Sequence, residues 1–161
     1  MSGAPPEPEA RRGPDPSPEP ATRPGTILQR GRAKAYRPLP PERRAEILAE
    51  GLAAYDRGDV FLAHELLEPA WMGASDPGER DLYQGLIKLA AAFVHAARGN
   101  PAGVRKNLVG ARERLGGAVG AGRGAGLDIA AQLIEIDRWL AGEAPASPPP
   151  VPRAGSEAGP R

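Results

Sequence analysis

The chain has 161 residues, with 21 basic against 20 acidic side chains, no cysteine, and 21 glycines and 20 prolines. The missing thiols exclude disulfides, thiolate nucleophiles and cysteine-based zinc sites, and fit a cytoplasmic location. No apolar run approaches the ~20 residues that span a bilayer, and the Pro- and Glu-rich start lacks the apolar stretch of a secretory signal.

Charge is unevenly spread. Residues 1–37 hold seven basic and four acidic side chains, residues 38–142 twelve and fourteen. The body is slightly acidic and argues against a broad nucleic-acid face. Arg30, Arg32, Lys34 and Arg37 form a short basic run before it, a weak nucleic-acid signal that a solvated linker explains as well. Prolines crowd the first 25 residues and recur at 148–150 and 152. Segments so poor in apolar residues do not offset the entropy of ordering. Residues 1–37 and 143–161 are therefore expected to be disordered tails, around one domain at 38–142.

That domain reads as all-α, a bundle of about five helices with no credible strand. Pro40-Pro41 opens the first helix, with proline in its first turn, and Leu48, Leu52 and Tyr55 follow at helical spacing. Arg57-Gly58-Asp59 stops it, and Asp59 can cap the next helix. The second helix runs to about Trp71 or Gly73. Its interior Pro69 loses the hydrogen bond to the Glu65 carbonyl and predicts a kink or an early end. Asp76, Pro77 and Glu79 then give a cap, a proline at the first helical position and a capping-box acid. Leu82, Tyr83, Leu86, Ile87, Leu89, Ala90, Phe93 and Val94 cover over half of the third helix, which predicts a central position. Gly99-Asn100-Pro101 ends it and caps the fourth, whose stripe is Val104, Leu108, Ala111, Leu115 and Val119. Gly116, Gly117 and Gly120 weaken its end. Arg105, Lys106, Arg112 and Arg114 read as its exposed face. A glycine-rich loop at 120–126 leads to Asp128, the cap of a last helix with Ile129, Leu133, Ile136 and Leu140 facing inward.

The chemistry concentrates in Phe61-Leu-Ala-His-Glu-Leu-Leu-Glu-Pro-Ala-Trp71. At about 3.6 residues per turn, His64, Glu68 and Trp71 share a stripe with Phe61, and Glu65 points about 100° away. On the third helix, Gln84, Lys88, Ala91 and His95 fall within about 40° of one another. If the two helices pack antiparallel across their short connection, His64 and Glu68 would face Gln84, Lys88 or His95 across a cleft. The pair Ala49–Asp59 and Phe61–Pro69 also has the look of a tetratricopeptide hairpin, with Tyr55-x-x-Gly-Asp59 at its turn, but the period does not recur.

The His64 motif, followed by Glu79-Arg-Asp-Leu-Tyr-Gln-Gly-Leu-Ile87, Lys88-Leu-Ala-Ala-Ala-Phe-Val-His95 and Arg98-Gly-Asn100, resembles the bacterial and plastid family called domain of unknown function 309. The resemblance covers about 40–120 well and 121–142 loosely. It implies a small helical bundle with a polar site on these two helices and no particular activity. Two departures from the family pattern stand out: Pro69, and Lys88 where relatives often have glutamine.

Four accounts fit these residues, three functional classes and one of structure alone. His64, Glu68 and His95 could ligate a divalent metal with a water in the fourth position, which would make a metal-assisted hydrolase. The order His-Glu-x-x-Glu is not a zincin motif, and Lys88 would repel a cation. Without metal, His64 and Glu68 would be the working pair of a ligand pocket. Glu65 would lie at its edge, Gln84 and Lys88 would position a polar or anionic ligand, and Trp71 would close it. The plainer account is a buried network that fixes helix packing, with Trp71 and Phe61 as core; a protein–protein adaptor is the third class. Substrate, reaction and partners are not written in the sequence.

Overall fold

The computed structural model describes residues 25–156. The disorder expected for 1–24 and 157–161 lies outside the described residues. Five helices follow a short hairpin: β1 (Thr26–Gln29), β2 (Arg32–Ala35), α1 (Pro41–Asp56), α2 (Val60–Gly73), α3 (Pro77–Ala97), α4 (Pro101–Gly120) and α5 (Ile129–Ala141). The protein is an all-α bundle with a two-stranded antiparallel sheet at one side. No helix of the described residues is long and apolar enough to cross a membrane.

The helix boundaries follow from their caps. The side chains of Asp59, Asp76, Asn100 and Asp128 accept hydrogen bonds from the amides of Leu62, Glu79, Gly103 and Ala131, each satisfying one of a helix's orphan donors. Glu79 does not turn back to complete a capping box. Its carboxylate takes both ends of the Arg44 guanidinium, at 2.7 and 3.0 Å, and the Tyr83 hydroxyl at 2.9 Å, tying α1 to the start of α3. α2 runs four residues beyond Pro69 instead of ending there. Pro69 and Glu65 are both exposed, so water can take the Glu65 carbonyl that proline leaves without a donor.

α3 is the central helix, with α2 packed on one side and α4 on the other. Leu82, Leu86, Leu89, Ala90 and Phe93 are buried, and the Phe93 ring meets Tyr55 of α1 and Trp139 of α5 edge-on at 6.2 and 5.5 Å. Two inward assignments change. On α4 the buried stripe continues from Leu115 to Ala118, leaving Val119 exposed. On α5 it is Ile129, Gln132, Ile136 and Trp139 that are buried, while Leu133 and Leu140 are only partly so.

The hairpin corrects the expectation of no strand. Arg30 and Gly31 both have positive φ, +51° and +72°, the backbone of a tight turn that matches strand twist. Ile27 pairs with Lys34 and Gln29 with Arg32, so these four share a face. Gln29 is buried and donates to Asp81 of α3 at 3.1 Å. The segment after α5 is also tied down. Val151 is buried, its amide donates to Asp56, Arg153 pairs with the same carboxylate at 2.6 Å, and Asp128 N–H donates to the Pro152 carbonyl. Residues 26–35 and 151–153, which composition places in the tails, are thus held by specific polar contacts to the bundle.

Candidate functional site

α2 buries Ala63, Leu67 and Ala70. α1 packs closely on this face: a Cβ on Gly51 would stand 2.6 Å from the Leu67 side chain. His64, Glu68 and Trp71 each sit one position further on, so they lie on the flank, partly exposed. Phe61 continues that flank outward and is 58% exposed, so it is not core.

Trp71 is fixed by Arg80 of α3. The Arg80 guanidinium lies over the indole at 4.9 Å and is fully buried. It donates to the carbonyls of Trp71 and Ala74, at 2.8 and 2.9 Å, and to that of Ala35 at the end of β2. Burial lowers its pKa from the ordinary arginine value, yet arginine stays charged in proteins. The last carbonyls of α2, the negative end of its dipole, compensate that charge. Arg80 thus staples α2, α3 and the hairpin together, a role sequence reasoning missed; the signal was an arginine inside a helix otherwise marked as central.

The Trp71–Arg80 contact also sets the helix register. In an antiparallel pair it puts Glu68 level with Gln84 and His64 level with Ile87 and Lys88. His95 then lies about 12 Å further along the axis than His64. His95 is held elsewhere: its Nδ1 is 3.1 Å from Asn100 Nδ2, and the ring fills the space above Gly103 of α4. His64, Glu68 and His95 therefore do not form a metal-holding set, and no group of three histidine or carboxylate side chains among the described residues does. The offset sets the two imidazoles at different levels of the bundle, with His95 engaged by Asn100 of the α3–α4 junction.

Lys88 also faces α4. A Cβ on Gly110 would stand 2.7 Å from Lys88 Cδ, and one on Gly117 2.5 Å from Asp81 Oδ2. Asp81, Lys88 and His95 recur every seven residues on α3, opposite Gly117, Gly110 and Gly103 at the same interval on α4. Each glycine makes room for one polar side chain. The strip Gln84–Lys88–His95 thus divides, with Lys88 and His95 on the α4 side. Nor is Arg114 simply exposed: it donates to Asp81 at 3.0 Å with its side chain only 16% exposed.

Four of the seven residues, His64, Glu65, Glu68 and Trp71, remain on the α2 flank, and Gln84, one turn along α3 from Arg80, is half-buried between the α2 and α4 sides. His64 Nδ1 is 3.2 Å from Glu65 Oε1, so the histidine pairs with its chain neighbour instead of Glu68. Glu68 has no hydrogen-bond or ion-pair partner among the described residues. Trp71 Nε1, Arg80 Nε and Gln84 Oε1 are buried atoms that lack a partner among them as well. Such groups are rare in folded proteins, because an unmet buried donor or acceptor costs about 1–3 kcal/mol. A separate cleft of about 490 Å³ lies between α4, α5 and residues 142–146, beside Asn100, Arg105, Trp139 and Glu143. None of the seven residues lines it.

No solved structure matches the chain. An uncharacterized protein of Aquifex aeolicus (strain VF5) is 37% identical over 78 residues, which are 47% of this chain and 23% of that protein. The chain thus spans about a quarter of the length of the curated relative it matches. Residues 48–107, from the middle of α1 to the first half of α4, match the family model described as Domain of unknown function (DUF309), which bears out the family resemblance.

Proposed function

We propose that the flank shared by α2 and α3 binds a small polar ligand that donates hydrogen bonds, an amine or amide. One observation carries the reading: Glu68, Gln84 Oε1 and Trp71 Nε1 sit on adjoining stretches of two packed helices, each without a partner among the described residues. The Glu68 carboxylate and the Gln84 carbonyl accept from ligand N–H groups, and the Trp71 indole donates to a ligand oxygen where one is present. Arg80 holds the indole in place. His64, steadied by Glu65, stands at the solvent side. With Lys88 turned toward α4, the cation that favoured an anionic ligand is absent from this flank; Glu65 and Glu68 are the acidic groups near its mouth, and the Arg80 guanidinium behind the indole is engaged by the carbonyls of Trp71, Ala74 and Ala35.

The test uses the two indole N–H signals, from Trp71 and Trp139, in proton–nitrogen NMR of the full chain. Methylamine, putrescine and methylguanidine are titrated in turn. The expected result is a saturable shift of the Trp71 signal, unchanged Trp139, and loss of the response in Glu68→Gln. Absence of any saturable shift, or the same shift in Glu68→Gln, overturns the reading.

A further inference from the structure

The chain contains eighteen arginines and only three lysines, Lys34, Lys88 and Lys106. They come from β2, α3 and α4, far apart in sequence, and the fold brings them together. Lys106, Gly110 and Arg114 follow one another at i, i+4 and i+8 and so line one face of α4. The Lys88 side chain crosses that face at Gly110, where a Cβ would lie 3.3 Å from its Nζ. Its ammonium therefore sits between Lys106 and Arg114. Lys34 shares a hairpin face with Gln29, and that face looks onto α3, because Gln29 donates to Asp81.

The carboxylates on this side are already engaged. Asp81 receives Gln29, Arg30 and Arg114, and Arg30 also reaches Glu113. No ion pair reaches any of the three lysines among the described residues. Lys34, Lys88, Lys106, Arg30 and Arg114 thus stand against Asp81 and Glu113, with Arg32 a further cation on the hairpin face of Lys34, and the three ammonium groups are the ones no carboxylate engages.

We propose that Lys34, Lys88 and Lys106 form a binding site for a compact phosphate-bearing small molecule. An ammonium is a point charge with three donors, suited to the several oxygens of a phosphate chain. Arg114 is held back by Asp81 and shapes the floor. The site is small and built around a partly buried lysine, which suits a di- or triphosphate group better than an extended nucleic-acid backbone. Burial, then the like charges of Arg114, Lys106 and Lys34, holds the Lys88 ammonium below the ordinary lysine range, the penalty that a bound polyanion would relieve.

Calorimetric titration of the full chain with inorganic tripolyphosphate tests this. The expected result is one saturable site, weakened about tenfold or more by Lys88→Gln and by Lys34→Gln, since each removes charge-assisted hydrogen bonds. Arg105→Gln, beside Lys106 in sequence but outside the cluster, keeps the wild-type affinity. Glu68→Gln also binds tripolyphosphate normally, which separates this site from the amine site above. Thermal melts of both lysine variants establish that they fold. Binding that survives both lysine changes, or that Arg105→Gln weakens equally, overturns the proposal. So does a single-stranded oligonucleotide that binds more tightly than tripolyphosphate and loses affinity with the same lysines, because the ligand is then a nucleic acid.

Discussion

α3 shows two kinds of polar seam on its two sides. Toward α4, Asp81 has three partners, His95 rests against Asn100, and a glycine opposite each gives it room. Toward α2, Arg80 Nε, Gln84 Oε1 and Trp71 Nε1 are enclosed and unmatched. The contrast is one of degree, because Gln29 Oε1 beside Asp81, Tyr55 Oη and Gln132 Nε2 also lack partners among the described residues. A seam built only to hold two helices would satisfy its buried polar atoms or use apolar ones. The comparison supports the proposed ligand site on the α2 side, and Lys88, with Lys34 and Lys106 near it, is the exception on the α4 side that carries the second proposal.

The strongest way to break the comparison is Arg80→Met. Methionine fills similar apolar space but strands the carbonyls of Trp71, Ala74 and Ala35. The expected loss is about 3 kcal/mol or more in urea-induced unfolding, with the hairpin's amides exchanging first. A smaller effect comes from the other side. Gly85→Ala would set a Cβ 2.7 Å from the Leu115 side chain and 3.1 Å from its backbone nitrogen. Because backbone cannot swing away, α3 and α4 must part slightly, at about 1–3 kcal/mol.

The helices were legible because their ends carry local chemistry: four Asx caps, two of them followed directly by proline, lie within one turn of the residues they satisfy. The hairpin was not. Its strands are four residues each, too short for alternation to register, and its turn puts Arg30 where asparagine or glycine would have announced a left-handed backbone. The site was half legible. Helical spacing placed His64, Glu68 and Trp71 together, but an arc of about 40° on α3 could not say which neighbour each residue meets. Lys88 and His95 reach the glycines of α4, while Gln84 stays half-buried between the two sides. The deciding signal was in α4, where Gly103, Gly110 and Gly117 repeat every seven residues. Of these only Gly117 is read from the sequence, as helix-weakening, which conceals its use as room for a partner's side chain.

Asp76→Ala costs about 1 kcal/mol by removing the cap of α3, and its effect depends on pH. The Glu79 amide, with help from Arg123, holds the Asp76 carboxyl below its ordinary value. A depressed folded-state pKa contributes stability above the unfolded value, near 3.9, and loses it as pH falls through the folded one. The wild-type advantage over Asp76→Ala is therefore full at pH 7 and shrinks below about pH 4, measurable by paired melts.

The smallest stability effect is the most discriminating. Gln84→Met keeps the side chain's length and removes the buried carbonyl that has no partner. Were that oxygen matched in solution by a donor that closes onto it, its loss would strand the donor and cost about 1–3 kcal/mol. If it is kept for a ligand, the free protein loses nothing that it was using, and relief of an unmet acceptor offsets the change in shape. The expected shift is within about 0.5 kcal/mol of zero, or slightly stabilising, and the amine-induced movement of the Trp71 indole signal disappears with it. A clear loss of stability would mean that Gln84 belongs to the same kind of closed seam as Asp81, and the contrast between the two sides of α3 would collapse.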